Sequence, residues 1–178
     1  MAVSITRVTS AGQLTDSLLS AATQIVGDLV AADAAIGWTA PPHRTDVEAL
    51  LLTVAQQAAA GDASLVLAYV EDELIGLGYW TRYERQTHRP NADLEKVVVI
   101  RAQQGRGYGR ALMEALIDAA VDARVEHLTL DLRDDNAAAL SLYESCGFRE
   151  YGRLADFVAV GERRLGKVFM VLDLRSRY

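Results

Sequence analysis

The sequence predicts one α/β domain built on a mixed sheet and spanning residues 1–178. Two observations carry this. Apolar periodicity switches several times between two and 3.6 residues, giving the order strand, two helices, a strand meander, strand–helix–strand–helix and two last strands. No internal repeat, low-complexity stretch or linker divides the chain, and 178 residues suffice to bury a core without disulfides or metals.

Taken in order, Ser4 to Val8 alternates as a short first strand. From Thr15 to Ile36, Leu18, Leu19, Ala22, Ile25, Val26, Leu29 and Val30 follow helical spacing, until Pro41-Pro42 interrupts. Thr45 or Asp46 is the expected cap of a second helix, which runs to about Ala60 before Gly61-Asp62. Ser64–Val70 and Leu74–Tyr83 flank the polar Glu71-Asp72-Glu73 and read as a hairpin. Gln86 to Asn91 is a loop, and Leu94 to Ile100 a central strand. Gly107 to Arg124 is an amphipathic helix, His127 to Leu132 a strand, and Asn136 to Cys146 a helix. Phe148–Ala155 and Lys167–Leu174 are the last strands, with Gly161 to Gly166 in the turn.

Composition narrows the function. About half of the residues are apolar and a quarter charged, as in ordinary globular proteins. The net charge of −6 argues against a sequence-independent nucleic-acid binder, which needs a basic face. No apolar run approaches the roughly 20 residues of a membrane span, and Met1 to Ser10 lacks the basic-then-apolar signal pattern. Cys146 is the only cysteine, so no intrachain disulfide can form; a reducing cytoplasm is the expected location. His43, His88 and His127 are scattered without metal-ligand spacing, so no metal is expected.

The segment after the central strand is the most informative: Arg101-Ala102-Gln103-Gln104-Gly105-Arg106-Gly107-Tyr108-Gly109-Arg110. It joins a buried strand to a helix start, whose unpaired N–H groups and positive dipole end suit an anion. Glycines let a phosphate approach the backbone, and Arg106 and Arg110 add charge. Gly105, Gly107 and Gly109 fall at every second position, which fits neither the dinucleotide-binding nor the P-loop pattern. Taken alone, the glycines are equally consistent with a tight strand-to-helix turn.

The spacing Gln104-x-x-Gly107-x-Gly109, followed in order by Asn136-x-x-Ala139-x-x-Leu142-Tyr143-x-x-x-Gly147-Phe148, resembles the GNAT N-acetyltransferase superfamily. The resemblance covers about Asp93 to Leu174, and Gly152-Arg153-Leu154 with the final hairpin looks like the tabtoxin-resistance type. It implies a mostly antiparallel sheet of about six or seven strands, flanked by about four helices and splayed at a central parallel pair. It implies acetyl-coenzyme A as co-substrate, held by Gln104, Gly105, Arg106, Gly107, Tyr108, Gly109, Arg110 and Asn136. The pantetheine arm would lie along Val97, Val98 and Val99, with a main-chain N–H near Val98 or Val99 polarising the acetyl carbonyl.

An alkylamine with a pKa near ~10.4 is neutral in only about one molecule per thousand at pH 7, so a base helps. Strand periodicity would place Asp93, Glu95, Val97 and Val99 on one face. Asp93 matches the position where several family members carry a catalytic glutamate; Glu95 and Asp131 compete with it. Tyr143 is the family's general acid, beside the coenzyme sulfur. Cys146 has no sequence-adjacent histidine to activate it, so direct transfer is expected over an acetyl-cysteine route.

Within the family the acceptor is set by segments that correspond to Val26–Arg44 and Trp80–Asn91. Trp38, Trp80, Tyr83 and His88 are candidates for lining its pocket, and Arg7, Arg82, Arg85 and Arg89 for binding a carboxylate on it. Three readings stand: a small-molecule amine acetyltransferase, including one acting on an antibiotic or toxin; a protein or peptide acetyltransferase; and a non-catalytic acyl-coenzyme A sensor. The Asn136/Tyr143 pair weighs against the third, and the lack of an added recognition domain favours the first. The family's habits allow a homodimer; neither nucleic acid nor membrane is an expected partner.

Overall fold

A computed structural model describes residues 2–177. In chain order the elements are β1 (Ser4–Val8), α1 (Asp16–Ala31), α2 (Arg44–Ala59), β2 (Ala63–Val70), β3 (Glu73–Arg82), β4 (Ala92–Val99), α3 (Tyr108–Asp122), β5 (His127–Arg133), α4 (Ala137–Ser145), β6 (Arg149–Val160) and β7 (Arg163–Asp173). The strands form one seven-stranded sheet in the order β1-β2-β3-β4-β5-β7-β6. Every neighbouring pair is antiparallel except β4 and β5. The mixed, mostly antiparallel fold with a parallel centre is therefore present.

Helix ends follow local chemistry. Thr15 Oγ1 accepts from the Leu18 N–H at 3.3 Å and starts α1. That helix stops at Ala31, short of Ile36, because Asp33 turns into the left-handed region at φ 64° and the Ala34 N–H bonds the Leu29 carbonyl. The cap of α2 is His43, not Thr45 or Asp46. Asp46 instead stands at the third helical position, where its carboxylate accepts from the His43 N–H at 3.2 Å.

The two halves of the sheet are covered differently. β2 and β3 are buried on both faces: Val66, Ala68, Ile75 and Trp80 face α3, while Leu65, Leu67, Leu77 and Tyr79 face α1 and α2. This explains their near-continuous apolar sequence. β5 and β7 bury one face only, through Leu128, Leu130, Val168 and Met170. Thr129, Asp131 and Phe169 point the other way, onto a face without a helix. β6 is an exposed edge strand, and it runs longer than its apolar pattern suggests. Val160 pairs with Arg163, so the turn is Gly161-Glu162 alone, not Gly161 to Gly166.

β4 departs from regular alternation at Lys96, whose φ is +50°. The β3–β4 register slips between Leu77/Val98 and Tyr79/Glu95, which marks a β-bulge. Asp93 and Glu95 lie on the α1/α2 face, but Val97 and Val99 are turned to the α3 face and Val98 takes their place. The expected common face of Asp93, Glu95, Val97 and Val99 is thus broken, because the extra residue inverts the alternation.

Two β3 glycines accommodate this bulge. A methyl group on Gly76 would collide with the Val98 carbonyl oxygen, and one on Gly78 would stand 3.0 Å from Leu116 and 3.1 Å from Val97. Backbone cannot yield as a flexible side chain can. Gly76→Ala is therefore expected to lower unfolding stability by about 1–3 kcal/mol, measured by denaturant titration. A loss under 0.5 kcal/mol, as at roughly neutral surface sites, would show that β4 can shift freely.

Candidate active site

β4 and β5 are registered only at Ala92/Leu128 and Asp93/Thr129. Beyond those pairs the strands part, although β4 continues to Val99 and β5 to Arg133. A cleft of about 1280 Å³ opens there, reaching from the α1–α2 connection to α4. Val97, Val98 and Val99 line it along the parted edge of β4. An extended chain could pair with such an edge by main-chain bonds.

At one end of the cleft is the glycine loop. Gly105 and Gly107 have φ of 74° and 86°, and open space stands where each would carry a side chain. The N–H groups of Gly105, Arg106 and Gly107 have no acceptor among the described residues. Those of the first α3 turn have none within the helix. Gly109 packs against α4, since a methyl there would lie 3.4 Å from Leu142. Arg110 lines the cleft and donates to Ser145 Oγ at 2.7 Å, tying α3 to the end of α4. Arg106 is exposed and lies outside the lining. Gln104 uses its amide differently from a ligand-binding expectation: Nε2 donates to the Val99 carbonyl at 2.9 Å and anchors the loop to β4. The Tyr108 ring is buried in the α3 core, so only its main chain belongs to the cradle.

Loop and cleft fit an acyl-coenzyme A in kind: open N–H groups with room for phosphates, and a parted strand edge for the arm. Asn136 caps α4, its Oδ1 accepting from the Ala139 N–H at 3.2 Å, and borders the cleft. Tyr143 borders it from the same helix. Its ring packs on Phe148 at 6.0 Å, and its hydroxyl has no hydrogen-bond partner among the described residues. Burial, helped by Cys146 and Asp131, pushes the phenol up to about 12, so it keeps its proton at neutral pH. Burial also raises the Cys146 thiol, which disfavours a thiolate nucleophile.

The three candidate carboxylates all line the cleft, each with different partners. Glu95 accepts from Tyr79 Oη at 3.1 Å and pairs with Lys96 Nζ at 3.3 Å; that ammonium lies 4.7 Å from the Trp38 ring centre and 5.9 Å from that of Tyr79. Asp131 pairs with Lys167 Nζ at 2.9 Å, an ammonium 5.3 Å from the Phe157 ring centre and 5.5 Å from that of Phe169. Asp93 pairs with no cation among the described residues. It accepts hydrogen bonds from Thr129 Oγ1 and, at 3.4 Å, Tyr83 Oη. Burial pushes its carboxyl up to about 6, Glu95 and Asp131 adding to the rise and the two hydroxyls opposing it.

The acceptor candidates are dispersed. Trp80 is a core residue, not a pocket wall: it is buried, and Nε1 donates to the Leu116 carbonyl at 3.1 Å. Tyr83 reaches the site through Asp93 and Thr129, with His88 edge-on to it at 6.0 Å. Trp38 acts through Lys96. Arg7 pairs with Asp122, while Arg82 and Arg89 are tied to Asp62 and neighbouring carbonyls, away from the cleft. Sequence reading missed Lys96 and Lys167. Nothing in the sequence marks the bulge that aims Lys96 at Trp38, and the pairing of Lys167 with Asp131 needs the β5–β7 register.

Residues 31–148 match the acetyltransferase (GNAT) family profile. Mycothiol acetyltransferase of Acidothermus cellulolyticus is 32% identical over 98 residues, a match covering 48% of this chain and 30% of that protein. The chain thus spans under a third of that relative's length. Among solved structures, a ribosomal-protein-alanine N-acetyltransferase from Brucella melitensis superposes with a TM-score of 0.81 at 23% identity, covering 98% of this chain and 100% of that one. A phosphinothricin acetyltransferase from Sinorhizobium meliloti, in complex with acetyl-coenzyme A, gives 0.80 at 18% identity, covering 97% and 89%. At these identities the superpositions establish the fold alone. The profile match spans well over half of the chain and includes both the glycine loop and the Asn136–Tyr143 segment, and on it the chain belongs to the GNAT acetyltransferase family.

Proposed function

We propose that this protein is an acetyl-coenzyme A-dependent N-acetyltransferase that moves the acetyl group directly to a primary amine of a small molecule. The observation that carries this reading is Asp93, a partly buried carboxylate without a cation, standing where β4 and β5 separate. Glu95 and Asp131 each already pair with an ammonium, Lys96 at 3.3 Å and Lys167 at 2.9 Å, so each is engaged in an ion pair. Asp93 is different: burial makes its carboxylate a stronger base than an ordinary one while leaving it largely ionised above pH 6.

Acetyl-coenzyme A, when bound, supplies an activated thioester carbonyl. Gly105 to Arg110 would hold its pyrophosphate through main-chain N–H groups, with the Arg110 guanidinium, which lines the cleft, beside it. The parted β4 edge would orient the pantetheine arm, and a main-chain N–H near Val98 or Val99 would polarise the thioester carbonyl. Asp93 takes a proton from the acceptor ammonium, directly or through water. Thr129 and Tyr83 hold the carboxylate in place. The Tyr143 hydroxyl, protonated and without a hydrogen-bond partner among the described residues, would donate toward the leaving sulfur. The small-molecule preference rests on the open cleft. Relatives of this fold include one named for a ribosomal protein and one named for phosphinothricin, so fold alone does not choose between acceptor classes.

The activity is tested with a thiol-detecting assay across amine and peptide panels. Wild-type kcat/KM is expected to rise with pH through an apparent pKa near 6, as Asp93 loses its proton. Asp93→Asn should lower kcat/KM by about 10²–10⁴-fold and remove that limb, whereas Glu95→Gln and Asp131→Asn should retain it. An unchanged profile in Asp93→Asn would remove it as the base.

The same carboxyl makes a stability prediction with a defined sign. A raised carboxyl pKa means that the folded state binds more proton than the unfolded state, so its contribution falls as pH rises from about 4 to about 6. Asp93→Asn is therefore expected to be more stable than wild type at pH 7.5, by on the order of 2 kcal/mol, and no more stable at pH 4. Thermal unfolding at the two pH values measures this; a variant destabilised equally at both would contradict it.

Gly107 tests the cradle. Its left-handed backbone costs an alanine roughly 1–2 kcal/mol, and the new methyl occupies the open space. Gly107→Ala is expected to weaken coenzyme A binding at least tenfold in calorimetry, against little change for Gly12→Ala, a glycine remote from the cleft. Equal affinities would place the pyrophosphate elsewhere.

A further inference from the structure

The large hydrophobic side chains exposed among the described residues are Tyr151, Leu154 and Phe157. All three lie on β6. Isolated exposed apolar residues need no explanation, but a contiguous group on one sheet face does. Leu154 stands opposite Lys167 in the β6–β7 register, and Phe169 stands opposite Asp131 across β7 and β5. Directly opposed residues share a face. The Tyr151 ring lies 6.0 Å from that of Phe169, and Lys167 Nζ lies 5.3 Å from the Phe157 ring centre. These groups therefore form one apolar platform on the helix-free side of the sheet.

The platform is joined to the cleft. Lys167 and Asp131 line the cleft, and the same Lys167 links Asp131 to Phe157 and Phe169. Tyr151 is near enough to Asp93 and Asp131 that both carboxylates, after burial, raise its phenol. An apolar surface thus begins beside Asp93, the one of the three cleft carboxylates that pairs with no cation among the described residues.

We infer that this platform is the acceptor subsite, and that it selects primary amines bearing an aromatic or branched apolar body. The ammonium end is drawn to Asp93, where the negative charge is uncompensated, and the body lies over Tyr151, Leu154 and Phe157. Charge complementarity fixes the amine end, and continuity with the cleft fixes the direction of the body. A hydrophilic amine gains the first contact but not the second. This deepens the proposed function and rests on Asp93 being the reaction centre.

The test compares 2-phenylethylamine with ethanolamine, in the full chain with saturating acetyl-coenzyme A. kcat/KM is expected to favour 2-phenylethylamine at least tenfold. In Phe157→Ser and Tyr151→Ser that ratio should fall about tenfold through a raised KM for 2-phenylethylamine, while Phe157→Leu retains it and the KM for acetyl-coenzyme A stays within twofold. Calorimetric binding of 2-phenylethylamine to the protein with coenzyme A separates this idea from the reaction itself. If binding is seen and is lost in Phe157→Ser, the subsite stands even where turnover fails. No binding, or binding and preference unchanged by both serine variants, overturns it. So does a wild-type dimer that Phe157→Ser converts to monomer in sedimentation without changing the preference, since the platform would then be an interface between copies.

Discussion

The separation of β4 from β5 after only two paired residues is the constraint on which the rest depends. A parallel pair normally continues its ladder, because unpaired main-chain groups in a sheet interior are costly. Here the bulge at Lys96 diverts β4, Gly76 and Gly78 make room for the displaced backbone, and Gln104 takes up the Val99 carbonyl. The result is a cleft walled by strand edge at its centre and by a helix start at one end. Each device is local and modest, and together they hold open a space that packing would otherwise close.

The second level is electrostatic. Three carboxylates close together would resist ionising together. Two are paired with lysines, and each lysine is itself held over a pair of aromatic rings: Lys96 over Trp38 and Tyr79, Lys167 over Phe157 and Phe169. The ring faces favour the ammonium and limit its wandering. The third, Asp93, is left with hydroxyl donors alone. Burial raises the proton affinity of this carboxyl, which stands beside the strand separation.

Much of this was legible from residues alone. The near-continuous apolar runs of β2 and β3, the periodicity of α1 and α3, and the Gln104–Arg110 and Asn136–Tyr143 segments carried the fold and the family. What escaped has physical causes. Alternation cannot reveal a bulge, so Val97 and Val99 were expected on the wrong face. An apolar indole and a pocket-lining one look the same in sequence, so Trp80 was expected at the acceptor although it packs against α3. The length of β6 was hidden because an edge strand exposed on most positions has no burial pattern to show. The pairing of Lys167 with Asp131 depends on the β5–β7 register, which joins residues distant in the chain.

The central claim is that burial, with no cation beside it among the described residues, holds the Asp93 carboxyl above its ordinary range. Carboxyl carbon-13 NMR titration of the protein, with assignment by Asp93→Asn, measures this directly. The account predicts an Asp93 midpoint of about 6, moving higher in Lys96→Met and Lys167→Met as the freed Glu95 and Asp131 charges press on it. A midpoint near the ordinary value of about 4, unmoved by either lysine substitution, would contradict it.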